Sequence, residues 1–221
     1  CVSEYAKDFI TKNYNKNVKV IHNAVEDFSN NFSEHKYFNN SKLNIMICGY
    51  LNKIKGFDIL INSIKRLPEN LQQKIELNII GQSNDSEYCA NLLKEIENMD
   101  NMHYLGLITD IKEKFELYNR TDIIVVPSRD ESCSLVALEA IMMSCPIIIS
   151  ENVGAKYVVD KNTGFIFENE NVEQLKNMLI DILNNKYDIA DMGKCARKKY
   201  EETSTLEIYE KNILKMIEEN I

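Results

Sequence analysis

The chain has 221 residues, 44% of them hydrophobic and 27% charged, which suffices for one sizeable α/β core or two small domains. Its formal net charge of −8 argues against nucleic acid as the main partner, because a phosphate backbone calls for clustered Lys and Arg. No apolar run approaches the ~20 residues of a membrane span, and six scattered cysteines (Cys1, Cys48, Cys89, Cys133, Cys145 and Cys195) with no Cys-x-x-Cys pair argue against zinc and a disulfide framework and for a reducing, cytoplasmic compartment.

The chain opens Cys1-Val2-Ser3 without an initiator Met, which predicts a piece of a longer protein. Tyr5–Tyr14 has helical spacing, Val18–Ile21 reads as a strand, and the Asn-rich stretch Glu26–Ser41 as loop. Short apolar runs then alternate with amphipathic ones. The expected strands are Leu43–Cys48, Ile75–Ile80, His103–Leu107, Ile123–Val126, Pro146–Ile149 and Gly164–Phe167. The expected helices between them are Phe57–Leu67, Tyr88–Met99, Ile111–Tyr118 and Ser134–Ser144, followed by Val172–Leu183, Ile189–Tyr200 and Leu206–Ile217. Strands apolar throughout, alternating with helices, predict a Rossmann-like parallel sheet with helices on both faces. Ligands of such sheets bind beyond the carboxyl ends of the strands. That places the candidate site among the segments Gly49–Gly56, Gly81–Asp85, Gly106–Asp110, Ser128–Ser134 and Ser150–Ala155.

Two segments carry the chemistry. In the first, Pro127 to Ala140, a strand end leads through a tight polar loop into an almost wholly apolar helix that contains Glu139. A buried carboxylate is costly unless it is hydrogen-bonded, so Glu139 faces a cleft that donates to it, or pairs with a Lys. The start of that helix offers unpaired N–H groups and a partial positive charge, a ready phosphate site; an ordinary Ser N-cap is the alternative. In the second segment, Gly49 to Gly56, Lys55 stands at a helix entrance, where it neutralises a phosphate or is simply solvated. The segment is not a nucleotide P-loop, since its Lys precedes the Gly and no Ser or Thr follows. Cys133 also lies at a helix start, where a thiol pKa is lowered, but His22, His35 and His103 have no spacing that suggests a triad or a metal site.

Taken together, Gly49…Lys55-Gly56, Ile79-Ile80-Gly81, Tyr104-Leu105-Gly106, Val126-Pro127-Ser128, Glu131 with Glu139, Pro146-Ile147-Ile148, Val153-Gly154 and Asn162-Thr163-Gly164-Phe165 resemble the retaining glycosyltransferases of the GT-B fold, group 1 or family 4. The resemblance implies that the chain is the C-terminal, donor-binding half of such an enzyme: a single domain over 1–221, with 1–41 as the crossing from the other domain and 205–221 as a C-terminal helix. It implies a nucleoside diphosphate sugar as substrate, no separate cofactor and no metal, with Lys55 on the diphosphate beside Gly49. Glu131 would approach the hydroxyls of the transferred hexose as the catalytic-centre carboxylate. The Cys133-Ser134-Leu135-Val136 turn would receive phosphate oxygens, Glu139 the ribose hydroxyls, and Leu107 would lie near the base. An acceptor-binding domain of the same polypeptide is then the partner, transfer by this half alone is not expected, and peripheral membrane association of the whole protein during surface glycan or glycolipid synthesis is compatible with it.

Two departures accompany the resemblance. Tyr50 stands where many relatives carry Arg, so that Lys53 or Arg129 would have to supply the second diphosphate cation. Ser132-Cys133-Ser134 stands for Gly-Phe-Gly, a disadvantage if positive φ is required there. A GT-B enzyme of another class, such as an epimerase or a phosphorylase, and a non-catalytic nucleotide-sugar-binding module are the rival readings.

Overall fold

The apolar runs become β1 (Leu43–Cys48), β2 (Ile75–Ile80), β3 (Met102–Gly106), β4 (Ile123–Val126), β5 (Ile147–Ser150) and β6 (Gly164–Phe167). In the computed structural model, which describes residues 1–16, 18–38, 41–83 and 86–219, they form one sheet in the order β3-β2-β1-β4-β5-β6, and every neighbouring pair is parallel. The helices are α1 (Glu4–Tyr14), α2 (Phe57–Lys65), α3 (Glu69–Gln72), α4 (Glu87–Glu97), α5 (Ile111–Tyr118), α6 (Leu135–Met142), α7 (Val172–Leu183), α8 (Ile189–Thr203) and α9 (Leu206–Glu218).

Period-two alternation explains why the strands are apolar throughout. Leu43, Ile45 and Ile47 of β1, with Ile75, Leu77 and Ile79 of β2 and Ile123 and Val125 of β4, share a core with α2, α4 and α7. Met46, Ile80, Ile124, Val126, Ile147 and Ile149 belong to a second core, on the opposite face, with α5, α6 and α8. Each such side chain removed from water contributes roughly 1.5–3 kcal/mol. Both faces must be covered, and the sequence supplies a helix for each.

The connection from β3 to β4 carries the chain back past β2 and β1, so that β4 pairs with β1 through Ile45–Ile123 and Met46–Ile124. The loops after β1 and β4 therefore diverge, one to each face, and open a crevice at the carboxyl ends of these two strands.

Several expectations need correction. The run Val18–Ile21 joins no strand: the Cys1 amino group donates to Lys19 O at 2.8 Å and Ile21 N–H to Cys1 O at 2.9 Å, a two-bond clasp too short for a ladder. The third strand includes Met102 and stops before Leu107, and the fifth starts after Pro146, which lacks an N–H for the ladder. A short helix, α3, follows Pro68, and 3₁₀ turns at Ser29–Asn31, Lys53–Lys55 and Gly154–Val158 fall in stretches read as loop. The last residues of the Gly81–Asp85 segment and of 205–221 lie outside the described residues. No helix among the described residues is long and apolar enough to cross a membrane.

Candidate functional site

The crevice is built from two loops held back to back. After β1 the chain makes a 3₁₀ turn over Lys53–Lys55, capped by the Asn52 side chain, which accepts from Lys55 N–H at 3.1 Å. Gly56 closes the turn at φ +69°, and a Cβ there would lie 2.0 Å from Pro127 O. Only glycine satisfies both demands, and it lets the turn rest on the end of β4. Lys55 folds back over Gly49, its aliphatic carbons 3.7 Å from where a Cβ of Gly49 would stand.

On the β4 side, Glu131 is fixed by its backbone. Its N–H donates to Asn152 O at 3.2 Å and its carbonyl accepts from Gly154 N–H at 2.8 Å, a parallel bridge to the 152–154 segment. The side chain then points to Lys55, Nζ to Oε1 at 3.1 Å, while Ser128 Oγ donates to Oε2 at 2.6 Å. Lys55 is thus paired rather than solvated. The Ser132 carbonyl accepts from Ser3 Oγ at 2.5 Å, which ties the cap of α1 to this loop.

Helix α6 begins directly behind. Ser134 is its N-cap, with Oγ accepting from Ala137 N–H, and the N–H groups of Leu135 and Val136 belong to the first turn, which has no intrahelical acceptors. The substitution of serines for glycines costs little here, since neither Ser132 nor Ser134 adopts a positive φ. The Cys133 thiol is not activated by the helix start: burial pushes its pKa up, against a hydrogen bond from Asn23 Nδ2 at 3.4 Å. The expectation of a lowered thiol pKa is therefore wrong, because desolvation outweighs a half-charge at the helix end.

Glu139 lies one turn into α6, nearly buried. Lys114 Nζ contacts its Oε1 at 2.6 Å and Tyr118 OH donates to its Oε2 at 2.7 Å. Of the alternatives read from the sequence, the pairing with a Lys is observed, joined by a phenol donor. Tyr118 is fully buried, and burial together with the Glu139 charge holds its phenol well above the usual range. Cys48, at the end of β1, is acted on by Lys55, Lys114 and Glu139. Burial pushes its thiol up to about 11, with Lys114 and Lys55 opposing and Glu139 reinforcing the shift. Two Lys–carboxylate pairs, Lys55–Glu131 and Lys114–Glu139, thus join the loops after β1 and β4 and the helices α5 and α6, and the start of α6 lies between their carboxylates in the chain.

Among the residues expected at the site, Lys55 packs over Gly49 and meets Glu131, while Cys133 precedes the N-cap Ser134 and Leu135, Val136 and Glu139 lie on α6. Leu107 directly follows the edge strand β3 and is exposed on the loop entering α5. Sequence reasoning missed Lys114, Tyr118 and Ser128. The i,i+4 spacing of Lys114 and Tyr118, which puts both on one face of α5, and the Ser128-x-x-Glu131 spacing were the available signals. A separate hollow of about 400 Å³ on the flank of α5, walled by Phe32, Lys36, Lys112 and Arg120 among others, contains none of the residues expected at the site.

Residues 27–199 match the model of the glycosyl transferases group 1. The chain belongs to this family. It is 28% identical over 210 residues, 90% of its length, to a glycosyltransferase of Methanocaldococcus jannaschii whose activity is uncharacterized. It is 30% identical over 127 residues, 57% of its length, to the lipopolysaccharide glucosyltransferase WaaG of Escherichia coli. It spans 54% of the former and 33% of the latter. Among solved structures, HepE of Anabaena in complex with UDP-glucose superposes with a TM-score of 0.73 over 91% of this chain and 57% of that one, at 17% identity. The group 1 chain thus has the Rossmann-like fold of the GT-B glycosyltransferases.

Proposed function

We propose that this group 1 chain binds the nucleoside diphosphate sugar of a retaining hexosyltransferase, and that the acceptor is bound by another part of a longer polypeptide. The observation that carries this reading is that Lys55, from the loop after β1, pairs with Glu131, from the loop after β4, at the switch point between those strands, with the start of α6 and Glu139 following Glu131 directly in the chain. Each has a role its chemistry suits. Lys55 and the first-turn N–H groups of Leu135 and Val136 take diphosphate oxygens and stabilise the charge that develops there as the glycosidic bond breaks. Glu131 accepts from hydroxyls of the transferred sugar, with Ser128 fixing its other oxygen. Glu139 accepts from the ribose, steadied by Tyr118. No divalent ion or other cofactor is required in this scheme, because the lysine and the helix start supply the positive charge.

HepE is seen with UDP-glucose and WaaG is a lipopolysaccharide glucosyltransferase. The first supports a sugar nucleotide as ligand, and the second supports surface glycan or glycolipid assembly as the setting. A thermal-shift panel of UDP, GDP, ADP and their hexose conjugates tests the reading. A ligand that binds only the folded chain raises the unfolding temperature, so at least one nucleoside diphosphate should do so in the millimolar range. No shift with any of them, confirmed by calorimetry, contradicts it.

A further inference from the structure

Arg129 lies two residues before Glu131, at the mouth of the crevice, and would be the obvious second cation for a diphosphate. The structure gives it other work. Its NH1 and NH2 donate to Asp58 Oδ1 and Oδ2 at 2.9 and 2.7 Å, a two-pronged pair with the first turn of α2. Nε donates to Glu170 Oε1 at 2.6 Å, and NH1 also to the Lys53 carbonyl. Tyr88 OH donates to Asp58 Oδ1 at 2.8 Å and holds that carboxylate in place. The guanidinium is therefore committed to three acceptor groups, in the planar geometry that arginine suits and lysine does not.

The pattern of acceptors matters more than their number. The side chain takes the carbonyl of Lys53, and the backbone N–H of Arg129 donates to the carbonyl of Ile54 at 2.7 Å. These are the carbonyls of the two residues before Lys55. On the other side, the Arg129 carbonyl accepts from Asn152 Nδ2 at 3.1 Å, on the same segment that bridges Glu131. One residue thus grips the turn that presents Lys55 and belongs to the loop that presents Glu131.

We propose that Arg129 is a positioning residue for the diphosphate subsite: its bonds to Asp58 and to the Lys53 and Ile54 carbonyls set the reach of Lys55 relative to Glu131, and it does not itself contact the ligand. This inference rests on the assignment of Lys55 to a diphosphate made above. It makes Arg129 act through Lys55, so its effect disappears when Lys55 is absent.

The test is a double-mutant cycle read by calorimetry, with the best-bound of UDP, GDP and ADP and the matching nucleoside. Arg129→Met should weaken the diphosphate about tenfold and the nucleoside less than twofold, because Glu139 is not part of the strut. Arg129→Lys should lose as much as Arg129→Met, since a point charge cannot span the same acceptors, and Asp58→Asn should act in the same direction. In a Lys55→Ala background Arg129→Met should add less than a twofold loss. Should one variant fail to fold by circular dichroism, the others carry the same comparison. Multiplying losses of Lys55→Ala and Arg129→Met, or full affinity in Arg129→Lys, would mean direct contact and overturn the proposal. Unchanged diphosphate affinity in folded Arg129→Met would overturn it as well. Absence of any diphosphate binding by the unmodified chain defeats instead the reading on which it rests, and the inference with it.

Discussion

Lys114 and Tyr118 sit one turn apart on α5 and hold one oxygen each of Glu139, at 2.6 and 2.7 Å. A carboxylate offers about four acceptor positions, so this arrangement orients Glu139 and leaves acceptor positions for further donors. The cost of placing a charge in an apolar helix is offset locally, by one ammonium and one phenol.

Glu139→Gln should therefore keep the fold and lose ligand. A charge-assisted hydrogen bond contributes roughly 1.5–3 kcal/mol, so nucleoside affinity should fall about tenfold or more. Calorimetry with the nucleoside, alongside a thermal unfolding curve, measures both; unchanged affinity in a folded variant rejects the ribose role.

Gly56→Ala should damage both stability and site. The new Cβ would meet Pro127 O at 2.0 Å in a left-handed backbone, so the turn must leave the end of β4. A loss of about 2–4 kcal/mol in urea unfolding is expected for strain plus a backbone clash. A variant as stable as the parent would show that the two loops are not packed as described.

His35 should make the chain acid-sensitive. Its ring lies against Tyr37, with centroids 4.2 Å apart, and both ring nitrogens are buried without a hydrogen-bond partner among the described residues. Burial lowers its pKa from 6.5 to about 4, only partly opposed by nearby backbone groups of Met143 and Thr121. Between these values the unfolded chain binds more protons than the folded one. The stabilisation is thus complete above about pH 6.5 and is lost as pH falls toward 4, reaching about 2 kcal/mol by pH 5. Urea unfolding at pH 7.5, 6 and 5 should show this slope in the parent and a shallower one in His35→Phe; parallel slopes would remove His35 as the cause.

What the sequence reveals and what it conceals divide along physical lines. Strands such as Ile123–Val126 and Ile147–Ile149 were legible because burial on both faces leaves an unbroken apolar signature, and the helices because periodicity survives in one dimension. Glu139 was legible as a charge in an apolar helix. Its partners were not, since the pairing with Lys114 and Tyr118 is made across 25 and 21 residues of chain. The same holds for Arg129, which reads as a spare cation until Asp58 and Glu170, 71 and 41 residues away, are seen to occupy it. The run Val18–Ile21 failed for the opposite reason: β-propensity was present, but the run bonds to Cys1 and pairs with no strand of the sheet.

The central claim is that Lys55 marks the diphosphate end of a nucleotide site, and one comparison tests it directly. Calorimetric titration of the parent chain and of Lys55→Ala, each with a nucleoside diphosphate and with its nucleoside, separates charge from the rest of the site. The account predicts a loss of about tenfold or more for the diphosphate in Lys55→Ala, as expected for one charge-assisted contact, with nucleoside affinity changed less than twofold. Equal small losses for both ligands would return Lys55 to the status of a partner for Glu131 alone and contradict the claim.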